Sequence, residues 1–253
     1  MQDAVAFFAL RLISGMSLML CVMPRQQVPA AFFRIILLVI LGLAALFALT
    51  SPAMLWWGVA LGVVAFVGSV LWLLERRRAG TAAIGLVLAL STIAAVTATY
   101  LHGSFLQGAA KAGSASGSWL LGLSALASAG TLGAAMTGML LGHRYLTAPG
   151  MPLAPLIWLN AGLGLASVFR LLISLAALGL GFGLLTESTY WIWLALRWLA
   201  GILGPGAACI MVQRILRYRN TQAATGVLFV AVILTFIGEL TADLLQRTLG
   251  VPF

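Results

Sequence analysis

The chain has 253 residues, of which 62% are apolar and only 8% are charged. About a quarter of the residues are charged in an ordinary soluble domain, so this composition excludes a globular cytosolic enzyme. It also excludes a disordered chain, which requires low hydrophobicity, and it leaves a polytopic membrane protein as the remaining class.

Eight continuous apolar segments have the length of about 20 residues that a membrane-spanning helix needs. Strands of an outer-membrane barrel would instead alternate in hydrophobicity over about ten residues. In chain order, the predicted spans are residues 5–23, 33–49, 54–74, 82–101, 119–141, 156–180, 191–212 and 224–245. The seventh contains Gly204-Pro205-Gly206, which predicts a kink. We therefore predict an all-α helical bundle that forms a single transmembrane domain over residues 1–253, without a soluble domain.

Charged residues outside the spans are divided unevenly between the two sides of the membrane. The odd-numbered connections and the adjacent helix ends carry nine arginines against Glu75, a net charge of +8, whereas the even connections and both tails sum to zero. The nine arginines are Arg25, Arg34, Arg76, Arg77, Arg78, Arg144, Arg214, Arg217 and Arg219. By the positive-inside rule the odd connections face the cytoplasm, which predicts both termini outside and a multi-pass protein of the inner (cytoplasmic) membrane.

The same distribution accounts for most of the net charge of +9. Because the basic residues are spread over four short connections, as the positive-inside rule requires, we expect membrane lipids and no nucleic acid as partners. The N-terminus lacks a basic region before its apolar stretch, so the first helix is predicted to be retained and not cleaved as a signal peptide.

Five charged residues fall inside the predicted helices: Arg11, Arg170, Arg197, Glu239 and Asp243. An ionisable group near the bilayer centre costs about 2.5 kcal/mol or more, so such groups normally face the bundle and find partners. At a rise of 1.5 Å per residue, all five lie at the midplane or in the outer half. We predict that they line a pocket open to the outside, whose one excess positive charge suits an anionic or carbonyl-bearing ligand.

Two further features belong to the predicted set. His102 lies at the outer end of the fourth helix and is a sixth candidate for the pocket. On the fifth helix, Gly130, Ala134, Gly138 and Gly142 recur every four residues, a spacing that lets two helices approach closely. It predicts a tight contact within the bundle or with another subunit.

Motifs for metals and for catalysis are absent from the sequence. His102 and His143 are predicted on opposite sides of a core about 30 Å thick, which disfavours a haem held by both within this chain. The sequence has no CxxC motif or Cys/His cluster that would predict a metal site. It also has no nucleophile–base–acid order, P-loop, HExxH or paired-carboxylate motif. We therefore assign no catalytic residue, no metal site and no firm cofactor.

Eight spans, both ends outside, almost no extramembrane mass and Gly238-Glu239 in the last helix together resemble the NrfD/DmsC-type class of membrane anchor subunits. The resemblance covers the architecture of the whole chain and rests on no specific motif. It implies a quinol site near the periplasmic face, without haem, and a soluble partner that carries the redox centres. In such a site Glu239 or Asp243 would accept quinol protons, and His102 or an arginine would bind a quinone carbonyl.

The sequence thus favours an integral membrane subunit of a multi-subunit respiratory or electron-transfer complex, which is not expected to be catalytic alone. Two alternatives remain open. The buried arginines and the kinked seventh helix also suit a transporter or lipid-binding protein for an anionic ligand. A purely structural or assembly subunit would use the buried charges only to fix helix packing.

Overall fold

The computed structural model describes residues 2–109, 118–148 and 150–250, and these residues are helical almost throughout and form no strand. Eight segments within them are long and apolar enough to cross a membrane, which confirms the predicted all-α polytopic bundle. The helices are α1 (Gln2–Val22), α2 (Ala30–Thr50), α3 (Leu55–Leu73), α4 (Arg77–Ala109), α5 (Ser118–Thr147), α6 (Ala154–Gly181), α7 (Ser188–Trp198), α8 (Gly204–Arg217) and α9 (Thr221–Leu249).

The seventh span is interrupted between α7 and α8 by a π-helical turn, Leu199–Leu203. Its widened pattern is visible where the Gly204 N–H donates to the carbonyl of Leu199, five residues earlier. Pro205 has no N–H and cannot continue the regular ladder, and a π-turn is one way in which a helix absorbs such a break. The irregularity lies directly before the Gly-Pro-Gly sequence at which a kink is predicted.

Several helices extend beyond the spans that hydropathy predicts. α4 begins before residue 82 and continues past residue 101, and α5 and α9 each continue several residues past their predicted ends. Hydropathy detects only the apolar part of a helix, whereas the backbone ladder continues until a capping or breaking residue ends it. The extension of α9 is important for the site, because it places Arg247 inside the helix.

The helices pack as two groups that meet along α1 and α5. In the first group, α1 and α3 each pack against α2 and α4. In the second group, α5 and α8 each pack against α6 and α9, and α7 packs against α9. α5 is the central helix, since 83% of its most apolar stretch is buried against 33–61% for the other spans. Most side chains on α5 are therefore held away from lipid.

The two groups touch through backbone at Gly15 of α1 and Gly133 of α5. A Cβ added at Gly15 would lie 1.8 Å from the carbonyl oxygen of Ala129, and one added at Gly133 would lie 2.0 Å from the carbonyl carbon of Gly15. Only glycine fits at this crossing, because any side chain would overlap the backbone of the other helix. The crossing fixes the depth of α1 against α5.

Large apolar side chains cover the outside of the bundle, as a membrane protein requires. Leu49, Leu165 and Ile233, on three different helices, are more than half exposed. The exposed Arg76, Arg77 and Arg78 precede or begin α4. We refer to the side of the bundle that carries the connections α1–α2, α3–α4, α5–α6 and α8–α9 as the arginine-rich end, and to the other side as the opposite end.

Candidate functional site

A single carboxylate, that of Glu239 on α9, is the centre of the buried charges. Its side chain is only 2% exposed and lies between the middle of the bundle and the opposite end. Guanidinium groups from α1, α6 and α7 surround it, contributed by Arg11, Arg170 and Arg197. Four of the five charged residues predicted inside the spans therefore come together.

Arg170 and Arg197 are the two close partners of Glu239. Arg170 Nε lies 3.4 Å from Oε1, and Nη2 donates to Oε2 at 3.5 Å, so that this guanidinium faces both carboxylate oxygens. Arg197 Nη1 donates to Oε1 at 3.2 Å. Both arginine side chains are buried, with 1% and 0% exposure, and such charge-assisted contacts are what offset the cost of removing these ions from water.

The central helix α5 adds two hydroxyl groups to the cluster. Ser128 Oγ donates to Oε2 of Glu239. Arg170 Nη1 donates to the carbonyl oxygen of Ser124 at 3.0 Å and to Ser124 Oγ at 2.5 Å. We call the set Arg11, Ser124, Ser128, Arg170, Arg197 and Glu239 the ion cluster; it joins α1, α5, α6, α7 and α9.

The carboxylate of Glu239 has little capacity left for a further ligand. A carboxylate offers about four lone-pair positions. Here Oε1 accepts from Arg197 and lies 3.4 Å from Arg170 Nε, while Oε2 accepts from Ser128 and Arg170. Arg11 is farther away, with Nη1 4.0 Å from Oε2. Glu239 therefore holds the two close arginines in place, and the role of proton acceptor expected for it stays a prediction.

Asp243 differs from the sequence-based expectation, because its partner is not one of the buried arginines. Arg247 Nε donates to Asp243 Oδ2 at 2.7 Å, one turn along α9, and both side chains are partly exposed. The last predicted span ends at residue 245, so Arg247 is expected in the outer tail and is one of the tail charges that sum to zero. With Asp243 matched by Arg247, three guanidinium groups face one carboxylate, so the ion cluster carries a formal charge of +2, one more than expected.

A glycine contact positions Arg197 against Glu239. Gly201, in the π-helical turn, meets Gly238 of α9 so closely that a Cβ added at Gly238 would lie 2.0 Å from the Gly201 Cα. A Cβ added at Gly201 would lie 2.4 Å from Arg197 Nη1. Two glycines thus let the seventh span approach α9 at the depth where the ion pair forms.

A pocket of about 350 Å³ between α1 and α9 reaches the ion cluster. Apolar side chains make up most of its wall, and the polar groups in the wall are Arg11, Glu239 and Asp243. Two of the apolar wall residues, Val5 and Leu240, are themselves exposed, so the pocket opens on the lipid-facing surface. Arg11 is the one arginine of the ion cluster that lines it, with a side chain 13% exposed.

The remaining predicted residues lie elsewhere or outside the described side chains. His102 belongs to α4, but its side chain is outside the part of the chain whose side chains the structure describes. In the small-residue row of α5, Gly142 faces Thr225 of α9, Gly138 faces Leu228 of α9, and Gly130 faces Ala166 of α6. Ala134 is fully buried.

Sequence reasoning missed Ser124, Ser128 and Arg247. The two serines lie four residues apart on α5, which places them on one helical face, so this spacing was a usable signal for a polar partner of the buried arginines. The tight crossing at Gly133 was also missed, because it lies outside the row that begins at Gly130. Within the described residues, no group of three or more His, Cys, Asp or Glu side chains is placed to hold a metal ion.

No protein-family profile, no curated protein sequence and no solved structure matches this chain.

Proposed function

We propose that the chain is an integral membrane subunit of a multi-subunit electron-transfer complex and binds a quinone in the pocket between α1 and α9. The observation that carries the proposal is the pairing, in one lipid-facing apolar pocket, of a hydrogen-bond donor with an acceptor. Arg11 offers N–H groups and Asp243 offers carboxylate oxygens in a cavity of about 350 Å³, a size within the range of roughly 300–1,000 Å³ for small-molecule sites.

Each polar group has a defined part in the proposal. The guanidinium of Arg11 donates to a quinone carbonyl, and the carboxylate of Asp243 accepts from a quinol hydroxyl. Glu239 acts as a positioning residue, since its oxygens are occupied by Arg170, Arg197 and Ser128. The chain holds no redox centre of its own in this proposal, so electrons pass to or from a redox centre on a partner subunit.

Substitution of the two pocket groups tests the proposal. We expect Arg11→Gln and Asp243→Asn each to weaken binding of a short-chain ubiquinone analogue about tenfold or more, because a hydrogen bond to a charged group contributes about 1.5–3 kcal/mol. Binding is measured by equilibrium titration of the detergent-purified protein, with thermal unfolding recorded for each variant. Arg34→Gln is the matched control, since Arg34 is an exposed arginine on α2 and should leave affinity unchanged.

Three results would contradict the quinone proposal: no binding by the wild-type protein, unchanged affinity in both pocket variants, or loss of affinity in Arg34→Gln. The charge of +2 in the ion cluster favours a second candidate, an anionic lipid or other anionic amphiphile in the same pocket. Binding of a phosphate-bearing amphiphile that Arg11→Gln weakens and Asp243→Asn strengthens would support this second candidate, because removing Asp243 removes a repulsive charge.

The partner subunit is tested separately. We expect the chain, when extracted from its own membrane under mild conditions, to purify with a protein that has the absorbance of a cytochrome or an iron–sulfur centre. Recovery of the chain alone, from membranes in which the extract as a whole retains such complexes, would contradict the assignment to an electron-transfer complex.

A further inference from the structure

A second and larger cavity lies away from the quinone pocket. It is a groove of about 930 Å³ between α4 and α6, with α1 and α5 forming its floor. Its wall is almost wholly apolar, and its polar side chains, Ser14 and Thr92, hydrogen-bond to each other at 3.0 Å. The rim residues Ile93, Trp158 and Leu165 are more than half exposed, so the groove is open to lipid along its length.

The depth of the groove matches one leaflet of the bilayer. On α6 its wall extends from Trp158, in the second turn of the helix, to Phe169, which is about 16 Å at 1.5 Å per residue. The hydrocarbon core is about 30 Å thick, so the groove spans about half of it, beginning at the arginine-rich end. A volume of this shape accommodates the acyl chain of a lipid that stands in that leaflet.

The mouth of the groove carries positive charge. Arg78 lies seven residues, or about two turns, before the groove residue Gly85 on α4 and therefore lies on the same helical face. On α1 the groove ends at Val22 and Met23, and Arg25 follows. Arg76 and Arg77 are exposed at the same level. Trp158, exposed at this end, is a residue type that favours the membrane–water interface.

From its apolar wall and its basic mouth, we infer that the groove is a binding site for an anionic glycerophospholipid. One acyl chain occupies the groove, and the phosphate lies at the level of Arg78 and Arg25. Arginine is well suited to phosphate oxygens, and a basic residue near the membrane surface favours anionic over zwitterionic lipid. This site is independent of the quinone pocket, which lies between α1 and α9 towards the opposite end.

The experiment compares two glycines, of which only one lines the groove. A Cβ added at Gly85 or at Gly42 would meet nothing within 4 Å, but Gly85 lines the groove and Gly42 lies on α2. The wild-type protein, Gly85→Phe and Gly42→Phe are incubated in detergent with equal amounts of phosphatidylglycerol and phosphatidylcholine, and retained lipid is counted by native mass spectrometry. Gly85→Phe should lose the bound phosphatidylglycerol, whereas Gly42→Phe should retain it as the wild type does.

A third variant tests the charge at the mouth. Arg78→Gln should lower the preference for phosphatidylglycerol over phosphatidylcholine about fivefold and leave the total retained lipid close to that of the wild type. The inference is overturned if Gly85→Phe retains as much phosphatidylglycerol as Gly42→Phe, or if the wild type binds the two lipids equally. Thermal unfolding of each variant separates loss of the site from loss of the fold.

Discussion

Replacing Glu239 by glutamine should be among the most destabilising single substitutions in this chain. Arg170 and Arg197 are buried with at most 1% of their side chains exposed, and the change removes the charged carboxylate that both of them contact. Removing one partner of a buried ion pair typically costs about 3–5 kcal/mol. We expect a correspondingly large fall in thermal stability, measured on the detergent-purified protein by unfolding of the helices in circular dichroism.

The matched control for Glu239→Gln is Asp243→Asn on the same helix. The pair Asp243–Arg247 is partly exposed, and a helical pair of this type contributes about 0.3–0.5 kcal/mol, so its loss should barely change stability. Arg11→Gln should fall between the two, because Arg11 lies 4.0 Å from the carboxylate and is partly exposed. Equal stability of Glu239→Gln and Asp243→Asn would show that the ion cluster does not hold the helices together.

Gly238→Ala should also damage the protein, through packing and not through charge. The added methyl group would lie 2.0 Å from the Cα of Gly201, so α9 and the π-helical turn have to separate. Overpacking of this kind costs about 1–3 kcal/mol, and we expect the upper end because the obstacle is backbone that cannot adopt another rotamer. The separation also displaces Arg197 from Glu239, so stability and quinone affinity should fall together.

Gly226→Ala on the same helix is the control for this prediction. A Cβ added at Gly226 meets nothing within 4 Å, so the change should leave stability the same or slightly higher, since alanine favours helix more than glycine does. Thermal unfolding of the two variants measures the difference directly. If Gly238→Ala unfolds at the temperature of Gly226→Ala, then the contact between Gly201 and Gly238 does not limit the approach of these helices.

Much of the architecture can be predicted from the sequence because it depends on local composition. The eight spans follow from apolar segments that need no knowledge of tertiary contacts. The convergence of Arg11, Arg170, Arg197 and Glu239 can also be expected, since a charge within a span needs a partner and few partners exist. The distribution of Arg residues between connections predicts the orientation in the membrane, which stays a prediction.

The details of the site could not be predicted, because they depend on how far helices extend and where they touch. Arg247 joins Asp243 only because α9 continues four residues beyond its apolar stretch, and this removes Asp243 from the buried set. The occupied oxygens of Glu239 depend on the rotation of α5, which brings Ser124 and Ser128 towards the arginines. Backbone contacts such as Gly201–Gly238 pair glycines from distant parts of the chain, and 28 glycines allow many pairings.

The ion cluster also has a consequence for how the protein is made. Arg11 lies in the first helix and Glu239 in the last, so the three arginines enter the membrane during synthesis before the carboxylate that they surround exists. Until α9 is inserted, these guanidinium groups lack the carboxylate of Glu239 at a depth where an ion is costly. The last helix therefore completes assembly of the bundle, and we expect chains that end before it to remain unassembled and to be degraded.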